Sequence, residues 1–158
     1  MIRRAQGQPA NILVRAHGAR HYMKKKILVV DDDPDLRGTL KLLLTPEFEV
    51  VEAANGREAL AILDREHPAL ALVDLAMPEM DGLQFLDASR AKLRATIVVM
   101  LTAEANVDLA LAAFKDGAKT YVTKPFDLEM LRSDVRYWLD PPAKDDSGRP
   151  WRVAEAKP

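Results

Sequence analysis

Hydrophobic and polar positions between residues 26 and 139 follow two alternating periods. Short, nearly continuous apolar runs lie at 27–30, 48–53, 69–75, 96–101 and 119–123. Runs of this length, rich in Val, Ile and Leu, predict strands. Between them the apolar residues recur at helical spacing. In 34–44 these are Leu36, Leu40, Leu43 and Leu44, and Pro46 closes the segment. Asn55-Gly56 turns the chain into a helix over 57–66, with Leu60 and Leu63 on one face. Further helices are expected over 83–92 and over 104–116, the latter ended by Gly117. In 127–139, Leu128, Leu131, Val135 and Trp138 form one stripe.

The pattern is five strand–helix units. Apolar strands alternating with helices imply a parallel sheet covered on both faces. Right-handed crossovers leave few topologies. The expected fold is α/β, a doubly wound (βα)5 flavodoxin-like three-layer sandwich with strand order 2-1-3-4-5. Ligands in such a sheet bind beyond the carboxyl ends of strands 1 and 3, where the winding reverses.

Charge changes this picture at the ends of the chain. Residues 1–22 hold Arg3, Arg4, Arg15 and Arg20 and no acid, and read as a disordered basic extension, with Met23 as a natural start. Residues 141–158 read as a Pro-rich polar tail, in which Trp151 and Val153 are the only large apolar residues. The domain is expected over 23–140. The chain has 23 basic and 24 acidic residues; removing four basic ones in 1–22, and four of each sign in 140–158, leaves 15 basic and 20 acidic. A net of −5 over 23–139 offers no footprint for nucleic acid. Without cysteine there is no disulfide and no thiolate metal site. His17, His21 and His67 lack zinc spacing, and no apolar run is long enough to span a bilayer.

The polar residues that interrupt the strands are more informative. Strand 1 ends in Asp31-Asp32, strand 3 carries Asp74, strand 4 ends in Thr102 and strand 5 in Lys124. The topology brings all of them to one edge. Three carboxylates cannot all ionise cheaply there without a cation. Oxygen-only ligands suit Mg²⁺ or Mn²⁺, and Lys124 suits a phosphate oxygen. Asp74, between metal and lysine, is placed to accept a phosphoryl group. Asp33 reads instead as a helix N-cap, followed by Pro34 in the first turn and Asp35 at the positive end of the helix dipole.

The segments "ILVVDDDP", "LVDLAMPEMDG", "VVMLTA" and "YVTKPF" occur in one order and spacing that resembles the response regulator receiver domain of two-component signalling, over about residues 23–139. The resemblance implies that Asp74 is the phosphoacceptor, that Asp32 binds Mg²⁺ directly, and that Asp31 acts through a metal-bound water. It implies the Ala76 carbonyl as a further ligand, Thr102 and Lys124 on the phosphoryl oxygens, and a cis Lys124–Pro125 bond. Tyr121 would be an aromatic switch. Ala76 and Glu104 occupy positions that tune phosphoryl lifetime in that family. The implied donor is a sensor histidine kinase or histidine phosphotransfer protein. The implied output is a protein target met by the fourth helix, fifth strand and fifth helix, in a cytoplasmic monomer or phosphorylation-dependent dimer. Such a domain catalyses only its own phosphorylation and dephosphorylation.

Rival readings fare less well. An EF-hand beginning at Asp31 would need Gly where Leu36 stands and Glu where Leu42 stands. A haloacid-dehalogenase-like phosphatase would use Asp31 and Asp33, but Asp35 replaces the expected Thr and no cap segment is present. A degenerate receiver is disfavoured because every chemical residue is in place. After Leu139 only 19 residues remain, which favours a stand-alone receiver. The stretch "DLALAAFKDGAKTYVTKPFD", similar to receivers of transcriptional activators, keeps a fragment of a longer regulator open.

Overall fold

A computed structural model describes residues 23–103 and 106–141. The basic extension 1–22, Glu104 and the tail from 142, with Trp151 and Val153, lie outside the described residues. The elements follow in chain order: β1 (Lys26–Val30), α1 (Pro34–Leu44), β2 (Glu49–Ala53), α2 (Gly56–Glu66), β3 (Leu70–Asp74), α3 (Gly82–Ser89), β4 (Ile97–Ala103), α4 (Val107–Lys115), β5 (Thr120–Lys124) and α5 (Leu128–Leu139). The sheet is parallel with order β2-β1-β3-β4-β5. This is the doubly wound flavodoxin-like arrangement that the pattern predicts.

Alternation along the strands splits the core in two. Leu28, Val30, Ala71, Val73, Val98 and Met100 point to one face and pack with Ile62, Phe85 and Ala113 from α2, α3 and α4. Ile27, Val29, Leu70, Leu72, Val99 and Leu101 point to the other and meet Leu40, Leu44, Leu131 and Val135 from α1 and α5. The central strands are therefore apolar on both sides, as buried parallel strands must be.

Capping explains where the helices begin. Asp33 accepts from the N–H groups of Asp35 and Leu36, so the cap expected there is present. Asp127 accepts from Met130 N–H at 2.8 Å as the N-cap, so α5 starts at Leu128, the first residue of the apolar stripe, one residue inside the expected 127–139. Asn55 and Gly56 are not a free turn. Asn55 caps α2 by accepting from Glu58 N–H, and Gly56 is its first residue. A Cβ on Gly56 would fall 2.7 Å from Met80 Cγ, so that close approach requires glycine.

Other boundaries differ from the pattern for local reasons. Helix α3 stops at Ser89 rather than reaching Lys92. The Ser89 hydroxyl donates to the carbonyls of Phe85 and Leu86, and a short 3-10 turn, Leu93–Ala95, follows. Strand β4 runs on to Ala103 because Lys124 pairs opposite it and draws β5 past Thr123. Gly117 ends α4 with φ +108°, and Ala118 N–H reaches back to the Ala113 carbonyl.

Candidate functional site

The carboxyl edge of the sheet gathers the predicted acids. Asp31 directly follows β1, Asp32 comes next, and Asp74 closes β3. Oxygens of these three carboxylates lie within 4.8 Å of one another. Asp31 is 1% exposed and Asp74 6%, while Asp32 faces solvent. Lys124, at the end of β5, crosses to them. Its Nζ donates to Asp31 Oδ2 at 2.8 Å and to Asp74 Oδ1 at 3.0 Å. The Lys124–Pro125 bond is cis.

Burial pushes the Asp74 carboxyl above its ordinary value, and repulsion from Asp31 and Asp32 adds to this. Together they outweigh the hydrogen bond and positive charge of Lys124. For Lys124, burial works downward, but the hydrogen bonds to Asp31 and Asp74 win and hold its ammonium above the ordinary lysine value. The edge thus has a charged lysine and an excess of carboxylate. A cation would relieve that excess.

The donor set fits a hard divalent ion. All three side chains offer oxygen, and among the described residues no histidine joins them. Opposite ligands on octahedral Mg²⁺ stand about 4.2 Å apart, so a cluster within 4.8 Å needs little adjustment or one bridging water. Asp31 is the acid suited to the water-mediated place. Both its oxygens are engaged, Oδ2 by Lys124 and Oδ1 by Asp33 N–H at 2.9 Å. Among the described residues no donor bonds the Asp32 carboxylate, which leaves it open for direct ligation.

The remaining predicted residues are more dispersed. Thr102 is fully buried one step beyond Leu101, the partner of Asp74 in the β3–β4 register, and its hydroxyl donates to the Ala103 carbonyl at 3.1 Å. Ala76 is exposed in the loop after β3. Tyr121 sits in β5 opposite Met100, half-buried, with its ring edge-on to Phe114 of α4 at 5.8 Å. Neither Thr102 nor Tyr121 bonds the acids here.

Two contributors escaped the sequence reading. A Cβ on Gly82 would lie 2.7 Å from the Asp74 carbonyl oxygen and 3.0 Å from Leu75 Cα, so α3 can start against β3 only with glycine. Asp81 before it is the N-cap, in a reciprocal box with Gln84. Arg37 is the second of these contributors. Its Nη1 donates to the Asp31 carbonyl at 2.7 Å. A cation in the first turn of a helix opposes the dipole, and that was the available signal.

Compared with known proteins, residues 27–136 match the Response regulator receiver domain family. Sporulation initiation phosphotransferase F of Bacillus subtilis (strain 168) is 35% identical over 118 residues, covering 74% of this chain and 95% of that protein. Regulatory protein AtoC of Escherichia coli (strain K12) is 42% identical over 112 residues, covering 70% of this chain but only 24% of AtoC. The chain therefore spans about a quarter of that relative. Among solved structures, the response regulator receiver domain protein (CheY-like) of Methanospirillum hungatei JF-1 aligns with a TM-score of 0.69 at 34% identity, covering 74% of this chain and 94% of its own.

Proposed function

This chain belongs to the response regulator receiver family, a family of signalling domains with an acidic Mg²⁺-binding pocket, and from that premise we propose that Asp74 accepts a phosphoryl group from a histidine kinase or histidine phosphotransfer protein. The observation that carries this reading is the buried Asp74 carboxylate. Lys124 sits on one of its oxygens, and the Asp31 and Asp32 carboxylates lie within 4.8 Å.

Asp74 Oδ2, the oxygen not bonded by Lys124, attacks phosphorus in line. A P–O bond forms as the P–N bond of phosphohistidine breaks, and the imidazole leaves with the electron pair. Asp31, Asp32, Asp74 and the Ala76 carbonyl would hold Mg²⁺, or Mn²⁺, which when bound supplies neutralisation of charge on the transferring oxygens. Lys124 turns part of its hydrogen bonding from the carboxylates to the new phosphoryl oxygens. Thr102, released from the Ala103 carbonyl, supplies a hydroxyl donor. These shifts bias the α4–β5–α5 face, with Tyr121 turning inward, toward a downstream protein target. The domain acts in the cytoplasm, as a monomer or as a dimer formed on phosphorylation. It performs no chemistry beyond gain and loss of its own phosphoryl group.

The test is acetyl phosphate with Mg²⁺, followed by trapping of the acyl phosphate and mapping by mass spectrometry. Label is expected on Asp74, none in Asp74→Asn, and label without a change at the α4–β5–α5 face in Lys124→Ala. Label on Asp31 would sink the proposal in favour of a dehalogenase-like phosphatase. The likeness to part of AtoC favours a second reading, a receiver belonging to a longer transcriptional regulator. Sequencing of the full-length transcript decides between the two.

A further inference from the structure

Arg37 occupies the first turn of α1, where helix polarity disfavours a cation. Its side chain is only 17% exposed. Something must offset that placement. Nη1 donates to the Asp31 carbonyl at 2.7 Å, whereas Nε stands 3.9 Å from Glu52 Oε1. Glu52 has a closer partner, Lys41, at 2.6 Å. The strong contact of Arg37 is therefore the backbone of Asp31, and the ion pair is secondary.

That carbonyl lies where the sheet stops. Asp31 N–H closes the ladder on the Ala53 carbonyl at 3.2 Å, and β2 ends at Ala53. With Arg37 in place, every polar handle of Asp31 is held, and three elements share the work. Its N–H is held by β2, its carbonyl by α1, Oδ1 by the cap of α1 and Oδ2 by β5. Asp32 follows with an open carboxylate, so its direction depends on the peptide that Arg37 fixes.

Building on the receiver reading above, we infer that Arg37 is a positioning residue, holding the Asp31–Asp32 peptide so that both carboxylates face one divalent cation. Geometry and charge make opposite predictions here. As a bare positive charge beside a cation site, Arg37 would weaken Mg²⁺ binding, and its removal would tighten it. As the group that orients two ligands, its removal loosens the site. Loss of such supporting contacts weakens metal binding by about 10- to 100-fold.

The experiment is calorimetric titration of the metal-free protein with Mg²⁺, with melts by circular dichroism in parallel. Arg37→Met is expected to weaken Mg²⁺ about tenfold. Glu52→Gln, which removes only the weaker ion pair, is expected to stay within about twofold. Acetyl phosphate labelling of Arg37→Met should need about tenfold more Mg²⁺ yet reach the wild-type rate at saturation. Tighter or unchanged Mg²⁺ binding in Arg37→Met overturns the inference, as does an equal loss in Glu52→Gln. Should Arg37→Met fail to fold, Arg37→Gln keeps a donor without charge. A constant within about threefold of wild type then supports positioning, and tighter binding overturns it. Wild type that binds no Mg²⁺ at all would instead refute the reading of the site itself.

Discussion

Asp74→Asn should stabilise the metal-free protein at neutral pH, although it removes the residue on which the proposed chemistry depends. The ionised Asp74 carboxylate is repelled by Asp31 and attracted by Lys124. At an effective dielectric of 20, a separation within 4.8 Å gives about 3.5 kcal/mol or more of repulsion, and 3.0 Å gives about 5.5 kcal/mol of attraction. Asp32 adds less, because water screens an exposed charge. Burial of the ionised carboxylate, 6% exposed, costs several kcal/mol more. The balance is unfavourable, in agreement with the raised pKa of Asp74. Asparagine drops the charge but keeps an oxygen for Lys124, so a gain of roughly 1–2 kcal/mol is expected.

That gain corresponds to a rise in Tm of about 3–6 °C for a domain of this size. It also has a pH signature. A carboxyl whose native pKa is raised is protonated more readily when folded than when unfolded, so its ionisation destabilises the fold as pH climbs through the native value. The advantage of asparagine should therefore be full above that value and vanish below the ordinary 3.8. Excess Mg²⁺ should shrink that advantage. At tenfold above its dissociation constant it stabilises wild type by about 1.4 kcal/mol, and a variant lacking one of the proposed ligands by less. Melts in EDTA and in Mg²⁺, from pH 4 to 8, provide the measurement. An Asp74→Asn protein that melts at or below wild type in EDTA at neutral pH would refute the reasoning.

Two glycines give a contrasting pair. Gly82→Ala should cost about 1–3 kcal/mol in urea unfolding and slow labelling of Asp74, because its Cβ meets the backbone of Asp74 and Leu75 as well as the Met100 side chain. Gly38→Ala, with nothing within 4 Å and a place inside α1, should stabilise by about 0.8–1 kcal/mol in the same assay. Phe85→Ala empties a fully buried position between α3 and the sheet and should cost about 3–5 kcal/mol, read from the urea midpoint. Asp127→Ala removes the cap of α5 and should cost about 1 kcal/mol, with faster amide exchange in the first turn of that helix.

The fold was legible because burial on both faces writes itself into sequence. Ile27–Val30 and Leu70–Val73 can hardly be anything but central parallel strands, and the order of winding then places Asp31, Asp32, Asp74 and Lys124 together. Asp33 was legible as a cap because Pro34 and the helical leucines follow it. Less was readable where one group serves a distant neighbour. Nothing beside Gly56 in the sequence announces Met80, and nothing beside Gly82 announces the Asp74 carbonyl. The end of α3 turned on a hydroxyl bonding back to Phe85, a choice open to any serine. Arg37 carries only a weak signal in the sequence, because a side chain bonded to backbone leaves no partner residue type to search for.

Helix α4 is held differently from its neighbours. Among its described side chains only Ala113 is buried, while Leu109, Leu111 and Phe114 keep 49%, 48% and 38% of their surface in water. Helices α1 and α5 each sink two large residues into the opposite core. Amide protons of α4 should consequently exchange through small local openings, while those of α1 and α5 wait for wider unfolding. Tyr121 touches this more loosely held helix through Phe114, so less work at the carboxyl edge would be enough to redistribute its conformers than a deeply anchored helix would need.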